Sequence, residues 1–204
     1  MAACLAAAAW LTRSPVPTPV AGGAIQASGC PLPPAAARGL AHTPLQTRAP
    51  SDLLLPHPAG RIQALAGFSL QARVLGRKAY PHGAEARFSP LDLALGWGPM
   101  SDSAVLDQLH ITQSGRWYLY RWQGTPPLPP AQIRDHSANM HMIPGDQAIA
   151  TALSRVRQDQ VIRLHGWLVN VETADPWRWR SSLTRSDSGA GACEVVYVCG
   201  VELL

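Results

Sequence analysis

His136-Ser137-Ala138-Asn139-Met140-His141-Met142-Ile143-Pro144 alternates polar and apolar side chains with a period of two. Successive strand residues point to opposite faces, so Ser137, Asn139 and His141 share one face and Ala138, Met140 and Met142 the other. The stretch is read as a strand with a polar row backed by an apolar row. Asp146 follows at a position where a carboxylate complements a helix start. Ala148, Ile149, Ala152, Leu153 and Val156 then recur at helical spacing, with Arg155 and Arg157 at the favourable end. Asp159-Gln160 turns the chain into a long strand, Val161 to Val171. Asp175-Pro176 is the next turn. Trp179 to Thr184 and Ala192 to Val198 are read as a hairpin around Asp187-Ser188-Gly189-Ala190-Gly191.

Working back toward the N-terminus, Phe68 to Leu75 alternates as a strand, and Tyr80-Pro81-His82-Gly83 is a turn. Leu91 to Leu95 fits a strand or a helical turn, stopped by Trp97-Gly98-Pro99. Ser101 or Asp102 can cap a short helix over Ser103 to Leu109. Gly115 leads into an aromatic strand, Arg116 to Trp122, and Thr125 to Pro130 reads as a polyproline-type loop. The sum is an α+β domain with a curved, largely antiparallel sheet or a small OB-like barrel and two short helices. No βαβ run carries a glycine-rich phosphate loop, which argues against a nucleotide-binding α/β fold.

The 204 residues are 47 % hydrophobic and 15 % charged, enough apolar material for one core. The net charge of +4 rests on arginine, Lys78 being the only lysine, and the charges are scattered. Such a distribution is not the footprint of a nucleic-acid binder. Residues 1–60 are read as an apolar, then Pro/Ala-rich, disordered leader, and residues 61–204 as the single folded domain. Met1 to Leu11 resembles the hydrophobic part of a secretory signal, and Ala27-Ser28-Gly29-Cys30 the end of a bacterial lipoprotein signal. The expected location is therefore bacterial, periplasmic or membrane-anchored through the N-terminal segment, with a cytoplasmic location as the alternative. With no CxxC, and with Cys4 and Cys30 in the leader, no disulfide framework is expected. Cys193 and Cys199 cannot bond each other, because six strand residues span about 20 Å.

Ser89-Pro90-Leu91-Asp92, Trp97-Gly98-Pro99-Met100-Ser101-Asp102, Ser137 to Pro144, Ser181-Ser182-Leu183-Thr184-Arg185 and Gly191-Ala192-Cys193-Glu194 together resemble an uncharacterised family of bacterial proteins. That resemblance implies one coherent domain and an envelope location, and it supplies no catalytic residues.

Two functional readings follow from the residues. In the first, a non-enzymatic binding or assembly domain recognises a protein or small-molecule ligand. Its surface is the Ser137, Asn139, His141 strand and the hairpin bearing Trp177, Arg178, Trp179, Arg180 and Arg185. Indole rings supply flat apolar contact, and the guanidinium groups supply donors for phosphate or carboxylate. In the second, Cys193, His141 and Asn139 form a Cys-His-Asn hydrolase or transferase site, in which a nearby imidazole would have to lower the thiol pKa. No metal and no cofactor is expected: His136 and His141 fall on opposite strand faces, and no ligand cluster converges by spacing.

Overall fold

A computed structural model describes residues 22–184 and 193–204. The strands are β1 (Gly22–Gln26), β2 (Leu45–Arg48), β3 (Leu54–Leu55), β4 (Arg61–Ala79), β5 (Leu91–Gly96), β6 (His110–Ser114), β7 (Trp117–Arg121), β8 (Ser137–Pro144), β9 (Val161–Glu172), β10 (Arg178–Arg180) and β11 (Glu194–Leu203). The helices are α1 (Ser103–Leu106), α2 (Pro130–Asp135) and α3 (Gln147–Arg155).

Five strands close into a ring. β4 pairs with β5, β5 with β8, β8 with β11, β11 with β9, and β9 returns to β4. Only β8–β11 is parallel. Numbered along the chain, the ring runs 1-2-3-5-4-1, the order of a small OB-like barrel, with α3 in the connection between the third and fourth strands. Nineteen-residue β4 reaches both sides of the ring because its pairing shifts register twice, between Ala64 and Ala66 and between Val74 and Gly76. Such bulges bend a strand and increase its twist. The interior is filled by Phe68, Leu70, Leu93, Leu95, Met140, Met142, Leu164, Leu168 and Val196, among others. Each such side chain contributes roughly 1.5–3 kcal/mol on leaving water.

The long connection between β5 and β8 builds a second layer outside the barrel. Leu75, Ala94, Met100 and Ile133 form its buried centre, packed by Val105, Leu106, Ile111, Tyr118 and Tyr120. Here β6 and β7 form a separate two-stranded hairpin. Asp102 caps α1 by accepting from the Ala104 N–H, and Asp146 caps α3 by accepting from the Ile149 N–H. The polyproline reading ends one residue early: Pro130 is the first residue of α2, a position where the missing N–H costs nothing.

Three expectations are corrected. First, residues 22–60 are not a disordered leader. β1 pairs with β11, while β2 and β3 pair with β4. Residues 27–40 then run as a strap over the outer face of β9 and β4. The Ala27 N–H donates to Cys199 O, Trp167 Nε1 to Pro31 O, the Ala36 N–H to Ser69 Oγ, the Gly39 N–H to Gln71 Oε1, and the Gly98 N–H to Leu40 O. The segment is too poor in large apolar residues to fold alone and is ordered by the barrel it lies on.

Second, a disulfide joins Cys30 to Cys199, with Cα atoms 5.6 Å apart and 169 residues between them in sequence. The Cys30 sulfur is therefore committed and not free for lipid attachment, and Ala27 is buried beside it. Third, β10 is not the partner of β11. It pairs antiparallel with β9, Trp179 lying opposite Val171. Residues 185–192, which lead from there toward β11, lie outside the described residues.

A disulfide of this kind marks an oxidising compartment outside the cytoplasm. Among the described residues no helix is long and apolar enough to cross a membrane.

Candidate functional site

Asp92 is the one charged side chain in the strand Leu91-Asp92-Leu93-Ala94-Leu95, and it is wholly buried. Its neighbours Leu91, Leu93 and Leu95 belong to the barrel core, so its carboxylate turns outward, beneath the β6–β7 hairpin. An ionised carboxylate removed from water must be matched by donors. Arg116 Nη1 donates to Oδ1 at 2.6 Å, His141 Nδ1 lies 2.9 Å from the same oxygen, and Asn139 Nδ2 donates to Oδ2 at 3.3 Å. With Asp92 ionised, Nδ1 carries the imidazole proton. The β5–β8 register puts His141 directly opposite Asp92 and Asn139 opposite Ala94.

The hairpin delivers Arg116 through an unusual turn. Ser114 pairs with Trp117, leaving Gly115 and Arg116 as a two-residue loop with φ of 56° and 70°. Both signs fit a type I′ turn, whose second position usually holds glycine. A larger residue there costs about 1 kcal/mol or more. The Arg116 backbone and side chain are both anchored. Its N–H donates to Tyr80 Oη, its carbonyl accepts from Asn139 Nδ2, and Nη2 donates to Ser89 O at 2.8 Å. The guanidinium also lies over the Tyr80 ring, 3.9 Å from its centre.

The rest of the polar row of β8 is committed in the same layer. Gln113 Nε2 donates to Asn139 Oδ1 at 2.7 Å. Ser137 Oγ donates to Ile133 O and accepts from the Tyr118 hydroxyl at 3.0 Å. Burial pushes the Tyr118 phenol well above its ordinary range. Ser137, Asn139 and His141 thus lie on one face, pointing toward the hairpin, and all three are buried. This outer face of the second and third ring strands is where barrels of this shape take oligonucleotides and oligosaccharides. Here the protein's own insertion covers it.

Trp179 stands 4.7 Å from His141, ring centre to ring centre. A ladder continues through Trp177 at 5.9 Å, Phe88 at 5.7 Å and His57 at 4.7 Å. Trp177 and Trp179 pack half-buried against the core, whereas the intervening Arg178 and Arg180 face solvent. Arg178 pairs with Glu172 at 2.6 Å in an exposed bridge, and Arg180 has no carboxylate partner among the described residues. Arg185 lies outside the described residues.

Cys193 is a free, partly buried thiol. Burial, and then the Asp92 carboxylate, push its pKa up to about 11. Among the described residues no hydrogen bond joins its sulfur to His141, whose Nδ1 is spent on Asp92. This environment opposes the thiolate that a Cys-His-Asn mechanism needs. No group of three or more His, Cys, Asp or Glu side chains that could hold a metal ion occurs among the described residues. His136 Nδ1 instead lies 2.9 Å from Gln132 O, and His165 Nδ1 3.3 Å from Ser69 Oγ.

Asp92, Arg116 and Gln113 complete this cluster and escaped the sequence reading. For Asp92 a signal existed, a lone carboxylate among leucines. For Arg116 none did, since an arginine after glycine is unremarkable until its partner is known.

No family model matches this chain, and no curated protein or solved structure matches it significantly.

Proposed function

We propose that the chain is a non-enzymatic binding or assembly domain working outside the cytoplasm, in the envelope of a bacterium. It recognises an extended acidic segment of a protein partner. The observation that carries this reading is the edge strand β10, which holds Arg178 and Arg180 in solvent on a half-buried Trp177–Trp179 base. β10 ends the strand path on its side of the sheet. Edge strands receive partner strands through main-chain hydrogen bonds, and the flanking side chains then choose the partner. Arg180, with no carboxylate partner among the described residues, and Arg178, whose exposed bridge to Glu172 a ligand carboxylate can replace, favour an acidic partner at that edge. Support also comes from the Asp92 cluster, where the Asp92 carboxylate, the Asn139 amide and His141 Nδ1 are spent within the molecule, and from Cys193, whose thiol is held protonated. The modest net charge and the covered barrel face weigh against single-stranded nucleic acid.

The test is a peptide array of extended acidic and neutral sequences probed with the oxidised protein and with R178E/R180E. The reading expects acidic peptides to bind and the charge reversal to weaken them at least tenfold. Equal binding by wild type and variant, or no acidic peptide bound at all, would reject it.

A further inference from the structure

A second polar site lies away from β10, where the bulged part of β4 meets the edge of β6. A cleft of about 160 Å³ opens there, lined by Gly76, Arg77, Lys78, Thr112, Gln113 and Gln158 together with two apolar side chains. At about 30 Å³ per water, that space holds a tetrahedral oxyanion and a few waters. Two of the lining residues are cations and none is a carboxylate. The acids closest in sequence and register are engaged elsewhere. Asp92, opposite Lys78 across β4 and β5, is held by Arg116, His141 and Asn139, and Asp159 is held by Arg73 at 2.9 Å.

Arg77 is the informative residue. Its Nε is buried and has no hydrogen-bond partner among the described residues, and Nη2 makes only a long 3.5 Å contact to Ser154 O. A buried guanidinium donor without an acceptor is costly. Burial, and then the neighbouring Arg157, depress its pKa. Arg157 adds a second positive charge there, its guanidinium donating to the Ser154 and Val156 carbonyls. Lys78 is exposed and forms no ion pair among the described residues. Gly76 makes room for the Gln113 amide at the cleft wall, because a Cβ there would come within 2.7 Å of Gln113 Oε1.

We infer that this cleft, beside the stretch of β4 past its pairing with β9, binds a phosphate-class oxyanion held by Arg77 and Lys78, which reach it from opposite faces of that strand, with the Thr112 hydroxyl and the Gln158 amide as neutral donors. The same chemistry is offered by free phosphate and by a phospholipid headgroup, so the experiment separates them. Titration calorimetry of the full oxidised chain with inorganic phosphate, at constant ionic strength, should show saturable one-site binding with a Kd of about 1 mM or tighter. Arg77→Gln with Lys78→Gln should weaken it at least tenfold. Gly76→Ala, which keeps both charges, should weaken it by displacing the Gln113 amide at the cleft wall. R178Q/R180Q, on another strand, should leave it unchanged, which separates failure here from failure of the β10 reading. Flotation with phosphatidylglycerol vesicles against phosphatidylcholine vesicles then assigns the source. Vesicle binding abolished by the Arg77/Lys78 pair and competed by phosphate means a headgroup, and phosphate binding without flotation means the free ion. An absence of saturable phosphate heat, or equal affinity in the folded Arg77/Lys78 variant, overturns the site.

Discussion

Replacing Arg116 with alanine tests whether the buried Asp92 carboxylate locks the β6–β7 hairpin onto the barrel. The Asp92 side chain is inaccessible to solvent and that of Arg116 is 17 % exposed, so the pair belongs with buried ion pairs. The substitution removes the 2.6 Å ion pair, the 2.8 Å bond to Ser89 O and the stacking on Tyr80. It leaves Asp92 with His141 and Asn139 alone. Removing one partner of such a pair costs about 3–5 kcal/mol, because the remaining charge stays buried. In a domain of this size that lowers Tm by roughly 6–20 °C. The backbone gives a second, opposite handle. Arg116 sits at φ 70°, so Arg116→Gly loses the same contacts but relieves the left-handed conformation, and it should be about 1 kcal/mol less damaging than Arg116→Ala. Removing both charges with D92L/R116M should recover most of the loss. The measurement is urea and thermal unfolding without reductant, followed by tryptophan fluorescence. A loss below about 1 kcal/mol for Arg116→Ala, or a double variant as unstable as the single one, would refute the argument that the charge pair locks this layer.

Four further outcomes are expected. Peptide mapping without reductant should recover Cys30 and Cys199 in one cross-linked peptide, and C30S/C199S should lose up to about 5 kcal/mol of stability on the loop-entropy account. In a Cys4→Ser background, alkylation of Cys193 should rise with pH to a midpoint near 11; a midpoint below 8 would contradict the burial argument. Because the native state holds that proton more tightly than the unfolded chain, stability should fall as pH rises from about 9 toward 11. Gly166→Ala should abolish folding or cost several kcal/mol, since its Cβ would overlap the Tyr197 carbonyl, whereas Gly23→Ala, with open space around it, should be near neutral. The Asp146 carboxyl is held below its ordinary range by the Ile149 and Ser28 N–H groups. Its contribution is therefore present above pH ~4 and lost below it, and Asp146→Ala should cost about 1 kcal/mol at neutral pH.

The parts of the fold legible in the sequence are those with dense periodic patterns. β8, α3 and β9 carry their own alternation or helical spacing, and the α+β class with an OB-like ring follows from them. What was hidden depends on partners far along the chain. β1 to β3 are too short to show a periodic pattern and gain order from β11 and β4, so a Pro/Ala-rich composition reads as tail there. Local pattern gives a strand but not its neighbour, which is why the sequence suggests β11 as the partner of β10 when that strand lies on β9. For the site, the common face of Ser137, Asn139 and His141 could be read from parity. That the face would be covered could not, because the cover comes from a hairpin whose anchor is a single arginine in a tight turn.

The strap tied down at Cys30 carries a consequence for biosynthesis. Its disulfide partner, Cys199, lies on β11, the strand that closes the ring and is synthesised after every other strand of it. A ribosome must therefore deliver almost the whole barrel before the covalent tie can form. During that interval β4, β5, β8 and β9 have no closed ring to join, and such non-local pairing is slow. A chain of this design is suited to passing through a translocation channel unfolded and to being oxidised on the far side, where ring closure brings the two sulfurs together.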